Sequence, residues 1–176
     1  GRQDVLAFWF GEPDEVTPEF IRRAAVDSLE RGETFYSQNL GLPQLREALA
    51  AYVSRLHCPT AADQIAVTSS GLSALQLATQ ALAGHGERVV EVTPLWPNLV
   101  EIPKILGAQV ECVPLLFDPG ARRFDPSAWR FDPGAWRLDL DRLLDALTPQ
   151  TRVLFVNSPN NPTGWTIGRA EQRAIL

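Results

Sequence analysis

From about residue 64 onward, short apolar runs of β-forming residues alternate with longer runs of helical period. The strand-type runs are QIAVTS (64–69), RVVEV (88–92), QVECVPL (109–115) and RVLFV (152–156). Between and after them lie GLSALQLATQALAG (71–84), NLVEIPKILG (98–107), DLDRLLDAL (139–147) and GRAEQRAIL (168–176), which read as helices. The first of these is so apolar that burial is expected. The second holds Pro103, which interrupts or begins the helix. This rhythm predicts an α/β fold, a mostly parallel sheet with helices on both faces. Sheets of that kind bind ligands at the carboxyl ends of their strands. Three segments rich in small and turn-forming residues fall there: TSSGLS (68–73), TPLWPN (93–98) and NSPNNPTG (157–164).

Two helices precede the alternating region. TPEFIRRAAVDSLERG (17–32) has Thr17 as an expected cap, Pro18 in the first turn and Gly32 at the stop. LPQLREALAAYVSRL (42–56) places Leu45, Leu49, Tyr52, Val53 and Leu56 on one face. A net charge of −5, with basic residues only in short runs, argues against a nucleic-acid surface. No run of 18 apolar residues exists, so no membrane span is expected. Cys58 and Cys112 lack metal or redox spacing, and the expectation is buried, reduced thiols in a cytoplasmic protein. No Met occurs, Lys104 is the single lysine, and the last helix stops in mid-course, so a portion of a longer protein is expected. RFDPSAW (123–129) is followed directly by RFDPGAW (130–136), and FDPGA also occurs at 117–121. A proline in each unit forbids a continuous helix, which leaves a duplicated surface loop or a Trp-bearing interaction patch.

The strand-end segments have both plain and chemical readings. TSSGLSAL opens a helix with Ser69, Ser70, Gly71 and Ser73. Backbone N–H groups there lack internal partners and sit at the positive end of the dipole, so they suit a phosphate, although small residues also serve as simple caps. The segment is neither a Walker loop nor a three-glycine dinucleotide loop. Trp96, stiffened by Pro94 and Pro97, is either the wall of a flat ligand site or an ordinary core or interface indole. In NSPNNPTG, local turn chemistry accounts for Pro159 and Asn160, and Asn157 reads as structural.

Taken in order, Y-x4-G-x3-LR (Tyr36, Gly41, Leu45, Arg46), TSSGLSAL, PLWPN and NSPNNPTG resemble the class I/II aminotransferases, pyridoxal-phosphate enzymes of fold type I. FGEPDEVTP (10–18) is similar to the N-terminal GEPDF-x-TP segment of that family. The resemblance implies that residues 1–41 form an N-terminal arm and small-domain, substrate-pocket segment. It makes residues 42–176 part of the large cofactor-binding domain, truncated at its end. It assigns the backbone N–H groups of Ser70, Gly71 and Leu72 to the phosphate of pyridoxal 5'-phosphate. Relatives often carry a polar side chain where this chain has Leu72. Trp96 matches the aromatic residue stacked on the pyridine ring. Asn161 matches the amide that donates to the phenolic oxygen of that ring. Tyr36 matches a tyrosine reaching the cofactor phosphate of the neighbouring subunit, which implies a homodimer. Phe10 and Gly11 match the segment lining the substrate pocket.

The implied activity is amino-group transfer between an amino acid and a 2-oxo acid. It needs a lysine that binds the cofactor, an acid paired with the pyridine nitrogen and an arginine for the substrate carboxylate. The family carries these in Asp-x-x-Tyr and Ser-x-x-Lys pieces and a later Arg, and none occurs here. Lys104, in IPKILG, matches no such motif and reads as a surface residue. The chain as given is therefore expected not to transaminate. Alternatives are another fold type I enzyme such as a β-lyase, the effector-binding domain of a transcription regulator, or a non-catalytic remnant.

Overall fold

The structure is a computed structural model, and it describes residues 4–6, 11–121, 124–125, 130–131 and 136–176. The described residues fall into two compact units divided after Val67.

In the first unit, α1 (Glu19–Glu30) and α2 (Pro43–Leu56) appear close to their expected bounds. Thr17 does not cap α1. Pro18 holds the cap position without a side-chain bond, and the Thr17 carbonyl accepts from Arg22 Nε at 2.8 Å. QIAVTS was expected to be a strand and is not one. A 3-10 turn covers Ala62–Gln64, and the next residues run extended without a ladder. A strand needs a neighbour for its N–H and C=O groups. Here the Val67 N–H donates instead to the Leu40 carbonyl at 3.0 Å. Arg46 fixes the same stretch, donating from Nε to Ile65 O at 2.8 Å and from Nη2 to Ala62 O at 2.7 Å. Gly41 sits at φ +98°, and a Cβ there would lie 2.6 Å from Val67 Cβ, so this crossing admits only glycine.

The second unit is built on β1 (Arg88–Thr93), which pairs in parallel with β2 (Gln109–Pro114) on one side and β7 (Thr151–Phe155) on the other. The four central residues of β1 are buried, as the middle strand of a covered parallel sheet requires. Side chains alternate along it. Val90 and Val92 enter a cluster with Val113, Leu115, Leu138, Leu143, Ala146 and Trp165, which α5 (Leu140–Ala146) covers. Val89 and Glu91 therefore face the opposite layer. There α4 (Pro97–Ile105) packs against β2, and α3 (Gly71–Leu82) packs against α4 and β7. The expected sheet with helices on both faces is the one observed, with α6 (Arg169–Ile175) closing the chain.

Pro97 begins α4 and Pro103 is accommodated inside it, fully buried. Contrary to expectation, α3 is mostly exposed: only Thr79 is buried, and Leu77 and Leu82 remain 57% and 53% accessible. A sheet of three strands offers too little surface to cover its apolar faces. The thiols also depart from expectation. Both are free, but Cys58 and Cys112 are exposed, the latter because β2 is an edge strand. Between β2 and α5, β3 (Leu116–Phe117) pairs antiparallel with β6 (Trp136–Arg137), enclosing the pair β4 (Phe124–Asp125) and β5 (Arg130–Phe131). Equivalent phenylalanines of the tandem repeat, Phe124 and Phe131, are thus register partners. Most of the repeat lies outside the described residues.

Candidate functional site

Ser70 is the N-cap of α3, and its hydroxyl accepts from Ser73 N–H at 3.1 Å. Ser73 Oγ in turn lies 3.1 Å from Ser69 Oγ and 3.0 Å from Ser70 Oγ. The cap satisfies one of the orphan donors of the first turn. The N–H groups of Gly71 and Leu72 keep no partner among the described residues, while Ala74 N–H already bonds Ser70 O. Nothing lies within 4 Å of where a Gly71 Cβ would be, so packing does not require glycine there. α3 ends at Leu82 and β1 starts at Arg88, a short reversal. A helix of about 18 Å followed by a strand of about 20 Å running back puts the start of α3 at the carboxyl edge of the sheet.

That edge also carries the loops after β1 and β7, which are adjacent strands. Trp96 is half-buried and forms the N-cap of α4, with its carbonyl accepting from Leu99 N–H at 2.9 Å. Leu95, just before it, is buried, so the loop is tied down on both sides of the indole. In the loop after β7, Asn157 Oδ1 accepts from the backbone N–H of Asn161 at 2.8 Å, which gives Asn157 the structural role expected of it. The Asn161 carboxamide is exposed and has no hydrogen-bond partner among the described residues. Trp165, buried in the core cluster, anchors the far end of the loop. Gly164, at φ +73°, lets the chain turn back toward it.

Asn160 is the residue that sequence reasoning undervalued. Local turn chemistry describes only part of it: its Oδ1 accepts from Thr163 within the turn, but the residue is also buried, and its Nδ2 donates to the carbonyl of Pro94 at 3.1 Å, joining the two strand-end loops. The only sequence signal was a second Asn beside the one matched to the family. The loops bearing Trp96 and Asn161 are thus brought together. Among the described residues, no hydrogen bond ties the α3 turn to either of them.

In the first unit, Tyr36 is fully exposed and lies beside Phe35, which is 91% accessible. Both line an open cleft with Leu42 and Gln44. Gly11 is exposed, and Phe10 lies outside the described residues. Lys104 sits on α4, exposed and paired with Glu101 at 2.8 Å, the surface role expected of it. Near it, Glu91 is completely buried in β1, and neither carboxylate oxygen has a partner among the described residues. Burial pushes its carboxyl up to about 7, against the opposing pull of the Lys104 charge and with a small addition from Glu101. Among the described residues no group of His, Cys, Asp and Glu is arranged to hold a metal ion.

A parallel sheet with ligand-facing loops at its carboxyl edge, one led by a helix start and two by a held indole and a free amide, is the frame of the fold type I pyridoxal-phosphate enzymes. The chain belongs to the aminotransferase class I and II family, whose model matches residues 3–176. It is 36% identical over 162 residues to the aspartate/prephenate aminotransferase of Thermus thermophilus, covering 92% of this chain and 38% of that protein. It is 35% identical over 173 residues to a probable aspartate/prephenate aminotransferase of Thermus aquaticus, covering 98% of this chain and 41% of the relative. The structure superposes on N-succinyldiaminopimelate aminotransferase from Mycobacterium tuberculosis with a TM-score of 0.79 and 30% identity, over 94% of this chain and 40% of the other. The chain spans about two fifths of the length of the relatives it matches.

Pyridoxal 5'-phosphate is the cofactor of this family. The residues present fit it. Among the described residues, two unpaired amides at a helix start suit a phosphate dianion, and a free carboxamide after β7 suits an ionised phenolic oxygen.

Proposed function

We propose that the whole protein transfers an amino group between an amino acid and a 2-oxo acid, as a cytoplasmic homodimer. Residues 1–41 serve as its arm and small-domain segment, and residues 42–176 belong to its cofactor-binding domain. The observation that carries this reading is the pair of joined loops, one bearing the free Asn161 amide and the other the half-buried Trp96.

When bound, the cofactor supplies the electron sink that acidifies the α-carbon of the amino acid. The chain's own residues bind and orient it. The backbone N–H groups of Ser70, Gly71 and Leu72 take the phosphate, and the dipole of α3 favours its charge. The half-buried Trp96 indole would hold the ring by its face and keep water from it. The Asn161 amide donates to the phenolic oxygen and favours its ionised form. Gly11 contributes to the substrate-pocket segment, a role also proposed for Phe10, which lies outside the described residues. Tyr36, exposed in its own unit, donates to the phosphate bound by the partner subunit. Lys104 takes no part, since its ammonium is paired on the surface of α4.

The test uses the full-length protein, incubated with pyridoxal 5'-phosphate, an amino acid panel that includes aspartate, and 2-oxo acid acceptors. Formation of the matching 2-oxo acid and amino acid products, lost in Asn161→Ala by ten-fold or more, is the expected result. A protein that binds the cofactor and transfers no amino group from any donor sinks the reading.

A further inference from the structure

Asn160 has more hydrogen bonds than a turn residue needs. Its backbone N–H donates to Trp165 O at 2.7 Å, and its carbonyl accepts from Gly164 N–H at 2.8 Å. Its side-chain oxygen accepts from Thr163 N–H at 3.1 Å and from Thr163 Oγ1 at 2.8 Å. Its side-chain nitrogen donates to Pro94 O at 3.1 Å, across 66 positions of sequence. The residue is 5% exposed, so these bonds are shielded from water and costly to lose.

The chemistry at this position calls for an amide of this length. Pro94 offers only a carbonyl, so the atom facing it must be a donor. Thr163 offers two donors, so the other atom must be an acceptor. Asp satisfies Thr163 but sets an oxygen against the Pro94 carbonyl. Gln has both groups on a stem one methylene too long. The bonds also lie between the two groups that face the ring. Pro94 is two residues before Trp96, and Asn160 immediately precedes Asn161. The loop's far end is anchored by Trp165 in the core, and Asn157 holds the Asn161 backbone from the near end. Only Asn160 connects that loop to the Trp96 loop by a side-chain hydrogen bond among the described residues.

We infer that Asn160 is a positioning residue: by locking the Asn161 loop to the Trp96 loop, it fixes the spacing between the donor to the cofactor's phenolic oxygen and the indole against its ring. The inference rests on the cofactor site proposed above. Asn160 touches neither cofactor nor substrate, and it acts through the two residues that do.

The experiment compares Asn160→Asp with Asn161→Ala in the full-length, cofactor-loaded protein. Its readouts are the pH midpoint of the bound cofactor's visible absorbance band, the cofactor Kd and the Tm. A looser Asn161 donates less well to the ionised oxygen, so the midpoint moves upward. Asn160→Asp is expected to raise the midpoint in the same direction as Asn161→Ala but by less, and to weaken cofactor binding about three- to ten-fold, as for one shielded hydrogen bond. A lowered Tm with an unchanged midpoint and Kd would mean a merely structural residue and overturn the inference. If Asn161→Ala itself leaves the midpoint in place, the cofactor site is misread and the inference falls with it. Should Asn160→Asp fail to fold, Thr163→Val removes one of its partners with little change in shape. A smaller upward shift then supports the inference, and an unmoved midpoint overturns it.

Discussion

A single buried acid sets the least comfortable position in this unit. Glu91 occupies the middle of β1, where a parallel sheet buries both faces and the neighbouring strand residues are valines. Neither of its oxygens has a partner among the described residues. The groups nearest in charge are Lys104 and Glu101 on α4, with Cys112 beside it as its register partner on β2, and Phe155 of β7 on the other side adds no charge. An unpartnered carboxylate is far costlier to bury than a neutral carboxyl, which is why the group holds its proton up to about 7 instead of the ordinary 4.5. Between those two values the folded state binds the proton and the unfolded state does not, so stability from this group is fully present below pH 4.5 and falls as pH rises to about 7. At about 1.4 kcal/mol per pH unit the loss is about 3 kcal/mol. Glu91→Gln keeps the shape without the charge. Relative to the native protein, it is expected to gain stability between pH 5 and pH 8 by an amount of this order, read by urea unfolding at both values. An equal effect at the two pH values would refute the account.

At the scale of elements, what the sequence makes legible depends on whether an element is specified locally or by its neighbours. α1, α2 and α5 stand within a residue or two of expectation because prolines at the start, acidic first turns and apolar period are written in the segments themselves. QIAVTS fails as a strand although its composition suits one, because a ladder needs a second chain segment and none pairs with it here. The burial expected of α3 fails for a similar reason, since apolar composition cannot report how much sheet is available to cover it. In the candidate site, Ser70, Gly71, Trp96 and Asn161 were legible through the motif. Asn160 was not, because its decisive partner is a carbonyl distant in sequence. The start of α3 also separates a capping role from a binding one. Gly71 is not required by packing, and Ala is the better helix former. Gly71→Ala is therefore expected to leave stability unchanged or raise it by about 0.5 kcal/mol, while its methyl group hinders approach of the phosphate and weakens cofactor binding several-fold. Thermal unfolding without cofactor and a cofactor titration separate the two effects. Unaltered affinity would remove Gly71 from the phosphate site.

For the whole molecule, the first unit raises a question that its own contacts do not answer. Phe20, Phe35, Tyr36 and Leu42 are each more than half exposed, and Tyr36 makes no hydrogen bond among the described residues. Leaving that much apolar and aromatic surface in water is unfavourable at about 25 cal/mol per Å², so such a surface is expected to be covered in the assembled protein. The proposed homodimer covers it with a second subunit and gives Tyr36 a phosphate to meet. This arrangement has a consequence that no single-subunit site shares. If Tyr36 serves the partner's site while Asn161 serves its own, a hybrid of one Tyr36→Ala subunit and one Asn161→Ala subunit carries both lesions in one site and none in the other. Each homodimeric variant is expected to lose activity by ten-fold or more. Co-expressing the two with different affinity tags and isolating the doubly tagged dimer is expected to restore close to half of the native activity per dimer. If both residues belong to the same subunit's site, every site in the hybrid carries one lesion, and the doubly tagged dimer stays as inactive as its parents.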